Sequence, residues 1–481
     1  RPYQSLSLLS ERWGALFSGV PVSPLWWGLY NWARHDGAYR PRLEVVSRGI
    51  RDNNDVPVIA PELVTGLFLK RGYMSGSVTR LEKYRQCPFK FYAQYGLKLE
   101  PRKVRSFGAP EIGTFLHANL ERLGTQLLSE HKQWRDLDET AQQELCARVA
   151  ADILEENRYD EDEKTAYDKA IEERVVRTLQ KTVSRLVDWS SRSSFDTMYL
   201  EQDFGRPNGW DSIKVSLGED RYLRLVGQID RIDEYKRDGH TYGMVIDYKS
   251  GSTSVNAQEI YYGLKLQLMT YLLALESAYK KHHDQPMTPA AVVYTYVKNP
   301  RTPAGEPVSY EEAKALADTN GALNNKGYFT DDIDMLEKMD KNLLTYKSKG
   351  PYVPVRITGK GTIHSGDMKI VKSSGDFDIM CRYTESIMAD TGSAIGKGEF
   401  PIAPYQLNKT IPCSYCDYKT VCRFDNERNQ YNYLSALNEA NALDKMRDAL
   451  NGSSNQAESD ASFGESSNND SSMTGGDDNG R

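Results

Sequence analysis

The chain has 481 residues, 27% of them charged, and a formal net charge of −6 at pH 7. Its apolar runs are shorter than the roughly 18 residues that a membrane span requires, and nothing resembles a signal peptide, so the sequence argues against a membrane protein and favours the cytoplasm. The negative charge argues at first against a nucleic-acid partner. However, the last 31 residues contribute six acids and one base, and without them the net charge is about −1.

Three regions are expected along the chain. Residues 1–76 should form a mainly helical remnant of a region farther upstream. The native start is expected to be missing, because the chain begins at Arg1 and not at a methionine. Residues 77–445 should form the main folded domain. Residues 446–481 are mostly Ser, Asn, Gly and Asp with almost nothing to bury, so they are predicted to be disordered. In the first region, four tryptophans are expected to be packed: Trp13, Trp26, Trp27 and Trp32.

Helical patterns dominate the region before the first predicted strands. The segment LEKYRQCPFKFY predicts a short helix that Thr79 and Glu82 are placed to cap and that Cys87 and the following proline would end. Residues 106–196 are predicted to be largely helical, with His117 on an apolar side, where a histidine is more often a buried structural residue than a ligand. Farther along, four basic residues form a stripe that is either a phosphate-binding surface or an ordinary solvated face: Arg174, Arg177, Lys181 and Arg185.

The most informative segment is VGQIDRIDEYKRDGHTYGMVIDYKSG, within a region of strands predicted at 197–249. It predicts a hairpin whose turn is formed by the charged residues 233–240. Such a hairpin brings Asp230, at the end of the first strand, beside Asp247 on the second. Alternate side chains of a strand share a face, so Asp247 and Lys249 point the same way.

Two carboxylates beside an ammonium group suit the hydrolysis of a phosphodiester. Asp230 and Asp247 can hold a hard divalent cation such as Mg²⁺, which polarises a phosphoryl oxygen and yields a hydroxide-like nucleophile at neutral pH. Lys249 would lie near the developing negative charge and stabilise it. A D-x-K tripeptide alone is more often an ordinary ion pair, so this interpretation depends on the surrounding sequence.

The segment SVNAQEIYYGLKLQLMTYLLALESAYK predicts a helix packed on the sheet. Gln267 and Tyr271 are four residues apart and share a face of this helix, from which both can reach a phosphate or a base. The alternative is that Tyr271 belongs to the core and Gln267 to its rim. The apolar positions at helical spacing are Leu264, Leu268, Leu272 and Leu275.

The later elements complete a mixed α/β pattern. AAVVYTYV predicts a further strand at 290–297, and a helix is expected near 331–347. The order of helix, strands with an acidic pair, helix and strand is what a mixed-sheet enzyme requires. A Gly-rich extended stretch, PVRITGKGTIHSGD, contains TGKGT, but Pro354 stands where a phosphate-binding loop needs its first glycine, so we reject it as an ATP site.

The cysteines form a second pattern. Cys413, Cys416 and Cys422 make up C-x2-C-x5-C, a tight spacing that, in a chain without secretory features, is typical of a metal or cluster site. Cys87 is the expected fourth ligand, because Cys146 and Cys381 lie among apolar residues and are predicted to be buried. By themselves, four thiolates suit zinc and an iron–sulfur cluster about equally.

The site residues also resemble a known family, with GxxD in GQID, DYK in IDYKSG and QxxxY in QLMTY. This ordered set is similar to the RecB-type branch of the PD-(D/E)xK nuclease superfamily, whose fold is a restriction-endonuclease-like mixed sheet. The resemblance implies that Lys249 is the catalytic lysine and that Gln267 and Tyr271 position the DNA strand and the active site. It implies metal ligation by His117, Asp230, Asp247 and the backbone carbonyl of Tyr248.

Two further expectations concern the metal. A nitrogen ligand such as His117 is unusual for Mg²⁺, so Mn²⁺ is expected to be accepted as well. Glu201, in YLEQDFG before the central strands, is a further candidate acid of the site.

The distribution of the cysteines resembles a narrower family. One cysteine before the nuclease core and three behind it are the pattern of the iron–sulfur staple in AddB-type proteins, the B subunits of a bacterial ATP-dependent helicase/deoxyribonuclease. The resemblance covers about 77–445 and implies a [4Fe–4S] cluster. A link between such distant parts of the chain should stabilise the domain by restricting the unfolded state. The implied ligands are Cys87, Cys413, Cys416 and Cys422.

By this resemblance, the expected function is Mg²⁺-dependent exonucleolytic degradation of single-stranded DNA, 5′ to 3′. The expected setting is a heterodimer with an A subunit that repairs double-strand breaks by recombination in the bacterial cytoplasm. The helicase-like part of the B subunit would precede residue 77, so ATP binding would belong to the complete complex. One alternative is a non-catalytic DNA-binding module scaffolded by the cluster, against which Asp230, Asp247 and Lys249 argue. Another is a stand-alone RecB-like nuclease, but such proteins are much shorter.

Overall fold

The computed structural model of the protein describes residues 2–17, 19–51, 54–100, 109–156, 166–218, 220–251, 253–282, 286–297, 309, 325–346, 348–426 and 428–465. The chain divides into two compact units. The first comprises Arg1–Val64, Gln86–Pro101 and Lys397–Ser435, and the second comprises Thr65–Arg85, Arg102–Gly396 and Ala436–Arg481. Within the described ranges, no helix has both the length and the apolar character needed to cross a membrane.

The elements alternate between helices and short groups of strands. The helices are α1 Pro2–Phe17, α2 Pro24–His35, α3 Arg40–Arg51, α4 Pro61–Phe68, α5 Val78–Gln86, α6 Pro88–Phe91, α7 Ala109–Ser129, α8 Glu139–Glu156, α9 Ala166–Arg192, α10 Ala257–Tyr261, α11 Gln267–His282, α12 Ile333–Met339, α13 Ser374–Gly396, α14 Lys419–Cys422 and α15 Glu439–Glu465. The strands are β1 Leu69–Lys70, β2 Tyr73–Gly76, β3 Asp196–Phe204, β4 Ile213–Gly218, β5 Arg221–Leu225, β6 Gly227–Arg237, β7 His240–Lys249, β8 Met287–Tyr296, β9 Lys326–Thr330, β10 Val371–Lys372, β11 Tyr405–Leu407 and β12 Asn432–Leu434.

The main sheet has six strands in the order β10-β9-β8-β7-β6-β3. Strand β6 is antiparallel to both β3 and β7, while β8 is parallel to β7 and antiparallel to β9. Strand β10 runs parallel to β9 at the edge. Strand β8 is buried along almost its whole length, as expected for a central strand covered on both faces. The mixed α/β sheet predicted from the sequence is therefore confirmed.

Helices cover both faces of this sheet. Helices α7, α8 and α9 bury Leu123 and Trp189 against Ile246 and Tyr248 of β7. The alternate residues of β7 point the other way, and there Asp247 meets the first residue of α11. Burying a Leu, Ile or aromatic side chain contributes roughly 1.5–3 kcal/mol, so this core holds the strands rigidly under the polar residues at their ends.

Two smaller sheets complete the fold. In the second unit, β1-β2-β5-β4 form a four-stranded sheet, in which β2 and β5 are parallel. In the first unit, β11 and β12 form a parallel pair. The N-terminal helices α1–α3 enclose a small core around Leu9 and Trp13, against which Trp26 packs. Trp27 and Trp32 are 47% and 44% exposed, so the described residues cover them only in part.

The predicted hairpin is present, but its turn is shorter than expected. Strand β6 continues to Arg237, which pairs with His240, so Asp238 and Gly239 alone form the turn. Residues 233–237 therefore lie in a strand, and the prediction of a long charged turn was wrong. Both Asp233 and Glu234 are buried with a polar partner: Asp233 accepts from Arg231 of the same strand, and Glu234 accepts from the hydroxyl of Tyr279 in α11.

The predicted helix after the hairpin is interrupted. Helix α10 ends at Tyr261 and α11 begins at Gln267, with Leu264 in the connection. Gly263 has a φ of +72°, a conformation that ends a helix and that residues with a Cβ rarely adopt. Leu264 is nevertheless 6% exposed, so its apolar spacing reflected burial and not membership of the helix.

Two other helices differ from the sequence prediction at their ends. Thr79 lies inside α5 and does not cap it, since Ser77 is the residue whose carbonyl accepts the first bond, from the N–H of Arg80. Glu82 does not cap α5 either, because its carboxylate accepts a hydrogen bond from Leu266. The helix expected at 331–347 is shortened to α12 and a turn at Leu343–Thr345.

The structure also describes the TGKGT stretch and part of the C-terminal segment. Ile357 and Ile363 form an antiparallel bridge across the glycines, and a 3₁₀ helix follows at Ser365–Ile370. Helix α15 extends to Glu465, into the segment expected to be disordered. Its start is held by buried Met446 and by Arg447, 2.6 Å from Asp376. Residues 466–481 lie outside the described ranges.

Candidate active site and cysteine cavity

Three acids stand side by side across β3, β6 and β7. The antiparallel register of β3 and β6 sets Glu201 opposite Asp230, and that of β6 and β7 sets Asp230 opposite Asp247. Asp230 and Asp247 are 7% and 1% exposed. Glu201 has a φ of +45°, in a region that costs a residue with a Cβ on the order of 1 kcal/mol and is found mainly where the surroundings impose it.

His117 reaches this row of acids from helix α7. Its Nδ1 lies 3.4 Å from Asp230 Oδ2 and 4.0 Å from Glu201 Oε1, and its Nε2 lies 3.0 Å from the carbonyl oxygen of Tyr248. The ligand atoms of His117, Glu201 and Asp230 all lie within 4.8 Å of one another. Carboxylate and carbonyl oxygens suit a hard divalent cation, and the imidazole adds one nitrogen donor.

Lys249 and Gln267 form a hydrogen-bonded bridge over Asp247. The ammonium nitrogen of Lys249 lies 2.5 Å from Asp247 Oδ2 and donates to Gln267 Oε1 at 3.1 Å. The amide nitrogen of Gln267 lies 2.7 Å from Asp247 Oδ1 and 2.8 Å from the hydroxyl of Tyr271. The structure therefore brings together the D-x-K and Q-x3-Y residues that the sequence placed on separate elements.

Burial raises the pKa of all three carboxyl groups. The pKa of Asp230 rises to about 6, opposed by the N–H of Tyr248 and by Lys249. That of Asp247 rises to about 7, with the charge of Asp230 adding to burial. That of Glu201 rises to about 8 for the same two reasons. A cation that binds here must therefore displace protons near neutral pH.

A buried ion pair supports the row from the opposite face of the sheet. Arg231, 2% exposed, donates through Nε and Nη2 to Asp233 at 2.7 and 2.6 Å. Its guanidinium lies over the indole rings of Trp134 and Trp189, 6.0 and 5.5 Å from their centroids. Because Arg231 follows Asp230 directly in β6, this packing fixes the strand from which the central acid projects.

The predicted basic stripe lies apart from this row. Arg174, Arg177 and Lys181 are exposed on α9, whose opposite side is buried, while Arg185 is half-buried and donates to the carbonyl of Tyr296 at 3.0 Å. Arg177 lies 3.5 Å from Glu173, one turn away on the same helix.

Four cysteines line one cavity of about 240 Å³ within the first unit: Cys87, Cys413, Cys416 and Cys422. Cys87 is 8% exposed and packs with Phe89, Ile402 and Tyr418. Burial raises the pKa of its thiol to about 11, so a metal would be needed to keep it ionised. Cys146 and Cys381 are buried in α8 and α13, which confirms the prediction for both.

Comparison with protein families agrees with this geometry. Residues 75–423, which include the acid row and all four cavity cysteines, match the PD-(D/E)XK nuclease superfamily. The chain belongs to the PD-(D/E)XK nuclease superfamily. Residues 1–49 match the fifth domain of the ATP-dependent helicase/deoxyribonuclease AddB.

Curated relatives of this PD-(D/E)XK protein carry a consistent name. The B subunit of the ATP-dependent helicase/deoxyribonuclease of Clostridioides difficile (strain 630) is 33% identical over 424 residues, which are 87% of this chain and 36% of the relative. The protein of the same name from Thermoanaerobacter sp. (strain X514) is 30% identical over 89% of this chain and 37% of the relative. The chain thus spans little more than a third of the length of these relatives.

Several residues around the PD-(D/E)XK site were not found from the sequence. The ring of Tyr294 lies 5.3 Å from the ammonium nitrogen of Lys249, and Asp233 and Arg231 form the pair behind the acids. Tyr294 pairs with Asp247 in the parallel register of β7 and β8. The segment AAVVYTYV predicts a strand. The neighbouring sequence does not predict which of its residues pair with which residues of β7.

Proposed function

We propose that this chain is a divalent-metal-dependent exodeoxyribonuclease that degrades single-stranded DNA. The observation that carries the proposal is the row of Glu201, Asp230 and Asp247, with His117 at one side and the ammonium of Lys249 2.5 Å from Asp247. Membership of the PD-(D/E)XK superfamily supports it.

The donor set fits a hard divalent cation. Asp230, Asp247, Glu201, the carbonyl of Tyr248 and the imidazole of His117 would hold Mg²⁺, or Mn²⁺ in its place. When bound, the ion would polarise a phosphoryl oxygen and lower the pKa of a water molecule.

The other side chains have distinct roles in this proposal. Lys249 supplies a positive charge close to the acids, where it stabilises negative charge that develops on the phosphate. Gln267 holds the ammonium of Lys249 and a carboxylate oxygen of Asp247 at once, so it fixes their relative positions. Tyr271 keeps the amide of Gln267 in that orientation.

We also propose that the four cavity cysteines hold a [4Fe–4S] cluster. One of these cysteines precedes the acid row in the chain and three follow it, and all four line the same cavity. This distribution, which resembles the iron–sulfur staple of AddB-type proteins, supports the cluster over a single zinc ion.

The names of the relatives support a wider proposal. We propose that the chain is the nuclease part of a B subunit that works with an A subunit on strands unwound from a broken duplex, in recombinational repair. The proposed direction is 5′ to 3′ and the proposed location is the bacterial cytoplasm, both from the resemblance to AddB-type proteins. Helicase and ATPase activities would belong to the complete complex.

End-labelled single-stranded DNA tests the activity directly. The wild-type chain and its Asp247→Ala variant are incubated with and without Mg²⁺, and Asp211→Ala, which removes an exposed acid, serves as the matched control. We expect Mg²⁺-dependent loss of DNA with the wild type and the control alone, and the surviving label gives the direction. Equal degradation by Asp247→Ala would contradict the assignment. DNA binding without cleavage by all three proteins would favour the non-catalytic module.

A further inference from the structure

Helix α11 begins at Gln267, and its first turn contains no acid of its own. The backbone N–H groups at this end are bound instead by a carboxylate from α5. Glu82 accepts a hydrogen bond from the N–H of Leu266 at 2.7 Å, and the N–H of Gln267 also donates to it. A carboxylate at a helix N-terminus satisfies free N–H groups and is stabilised by the helix dipole.

Glu82 is a costly residue at this position. Burial raises the pKa of its carboxyl group to about 7, opposed by the two N–H groups and then by Lys249 and Lys265. Burying a carboxyl group costs free energy that its hydrogen bonds must offset. An uncharged capping residue would avoid that cost. The presence of an acid at this position therefore indicates a role in addition to capping the helix.

The residue that Glu82 caps is itself part of the nuclease site. Gln267 is the first residue of α11, so its side chain moves directly with the backbone that Glu82 holds. That side chain bonds to Asp247 and Lys249. A shift of about 1 Å in a group that orders reacting residues can lower a rate by about 10²-fold.

We propose that Glu82 is a positioning residue of the nuclease: it fixes the first turn of α11 so that Gln267 holds Asp247 and Lys249 in their working arrangement. The inference rests on the proposed nuclease function. In this role Glu82 acts through Gln267, whose backbone N–H it binds, and is not assigned a contact with the substrate. Its removal should therefore lower kcat and leave KM for DNA nearly unchanged.

A double-mutant cycle tests this inference. Steady-state kcat and KM are measured with single-stranded DNA and Mg²⁺ for the wild type, Glu82→Ala, Gln267→Ala and the double variant, together with the melting temperature of each. If Glu82 acts through Gln267, Glu82→Ala should lower kcat about tenfold in the wild type and less than about twofold in the Gln267→Ala background. Glu82→Gln keeps an oxygen acceptor for the N–H of Leu266 and should retain more kcat than Glu82→Ala.

Glu439→Ala is the matched structural control. Glu439 is also a carboxylate that accepts a backbone N–H at a helix start, that of Ala257 in α10, but it makes no bond to the site residues named above. The Glu439→Ala variant should have a lower melting temperature than the wild type and an unchanged kcat.

The possible outcomes separate the two proposals. Inactive wild-type protein would overturn the proposed nuclease and with it the positioning role. Active wild-type protein with full kcat in Glu82→Ala would overturn only the inference. The same holds if Glu82→Ala lowers kcat by the same factor in the wild-type and Gln267→Ala backgrounds. If Glu82→Ala does not fold, the same cycle with Glu82→Gln decides, and independent effects of the two substitutions would contradict the inference.

Discussion

The carboxylate of Asp230 accepts a hydrogen bond of 2.7 Å from the main-chain N–H of Tyr248 on the neighbouring strand. The carbonyl of the same residue lies 3.0 Å from His117 Nε2. The main chain of Tyr248 therefore orients both a carboxylate and an imidazole, although its ring is buried on the opposite face. Because both bonds come from the main chain of Tyr248, the positions of the two groups depend on the register of β7 against β6.

Asp247→Ala should abolish cleavage and leave DNA binding largely intact. The substitution removes a metal-holding carboxylate and the partner of Lys249, but it adds no bulk and leaves the surrounding surface in place. Cleavage of labelled DNA and a binding titration in Ca²⁺ measure the two properties separately. Lost binding with intact cleavage would contradict the role given to Asp247.

Cys416→Ser should remove the brown colour of an iron–sulfur cluster and lower the melting temperature together. Three remaining thiolates leave one iron without a cysteine ligand, and the cavity loses the link that restricts the unfolded chain. Absorbance near 400 nm and calorimetry measure both effects. Cys381→Ser, outside the cavity, is the control for colour. A colourless, zinc-loaded wild-type protein would contradict the cluster.

Mg²⁺ binding should release protons and strengthen as the pH rises from 6 to 8. The pKa values of Asp230, Asp247 and Glu201 are raised to about 6, 7 and 8, chiefly by burial, so at pH 6 protons occupy sites that the ion needs. We expect Kd to fall by about tenfold or more over this range. Titration calorimetry in two buffers of different ionisation enthalpy measures the released protons. A Kd independent of pH would count against binding at these acids.

The same shifts predict how stability depends on pH without added metal. A carboxyl group whose pKa is raised in the folded state binds more protons there than in the unfolded chain. The free energy of unfolding should therefore decrease as the pH rises from about 4 to 8, and Mg²⁺ should reverse the loss at pH 8 by binding the ionised groups. Thermal melts at pH 6 and pH 8, with and without Mg²⁺, measure this. Greater stability at pH 8 than at pH 6 in the absence of metal would contradict it.

Arg231→Met should destabilise the protein by about 3–5 kcal/mol, because it leaves the carboxylate of Asp233 buried without its partner. Replacing both members, as Arg231→Met with Asp233→Leu, should recover part of that loss. Arg177→Ala removes an exposed pair and should change stability by less than about 0.5 kcal/mol. Urea unfolding of the wild type, the two single variants and the double variant measures the free energy of unfolding of each. Equal losses of that free energy in Arg231→Met and in the double variant would contradict the prediction.

The hairpin and the D-x-K face could be predicted from the sequence because both depend on neighbours in the chain. A two-residue period places Asp247 and Lys249 on one face whatever lies around them. The length of the hairpin could not be predicted in the same way. Charged residues 233–237 indicated a turn, yet Glu234 lies in the sheet because the hydroxyl of Tyr279 donates to it from another element.

The partners of Glu201 and Glu82 could not be predicted from the sequence around each residue. Glu201 was a weak candidate in the sequence, since its place opposite Asp230 depends on the register between strands β3 and β6. A capping pattern is local, so the sequence predicts that Glu82 caps its own helix. In the fold it binds the N–H of Leu266, 184 residues away.

The sequence by itself determined the chemistry of this protein: which acids, which lysine and which cysteines are present, and which of them share a strand or a tight turn. Those features follow from spacing along the chain, where backbone geometry alone sets the distance between side chains. The tertiary structure decided that Glu201 joins the acid row, that Tyr294 lies beside Lys249 and that Glu82 holds Gln267. These contacts join elements far apart in sequence, and their positions depend on sheet register and core packing, which no single segment encodes.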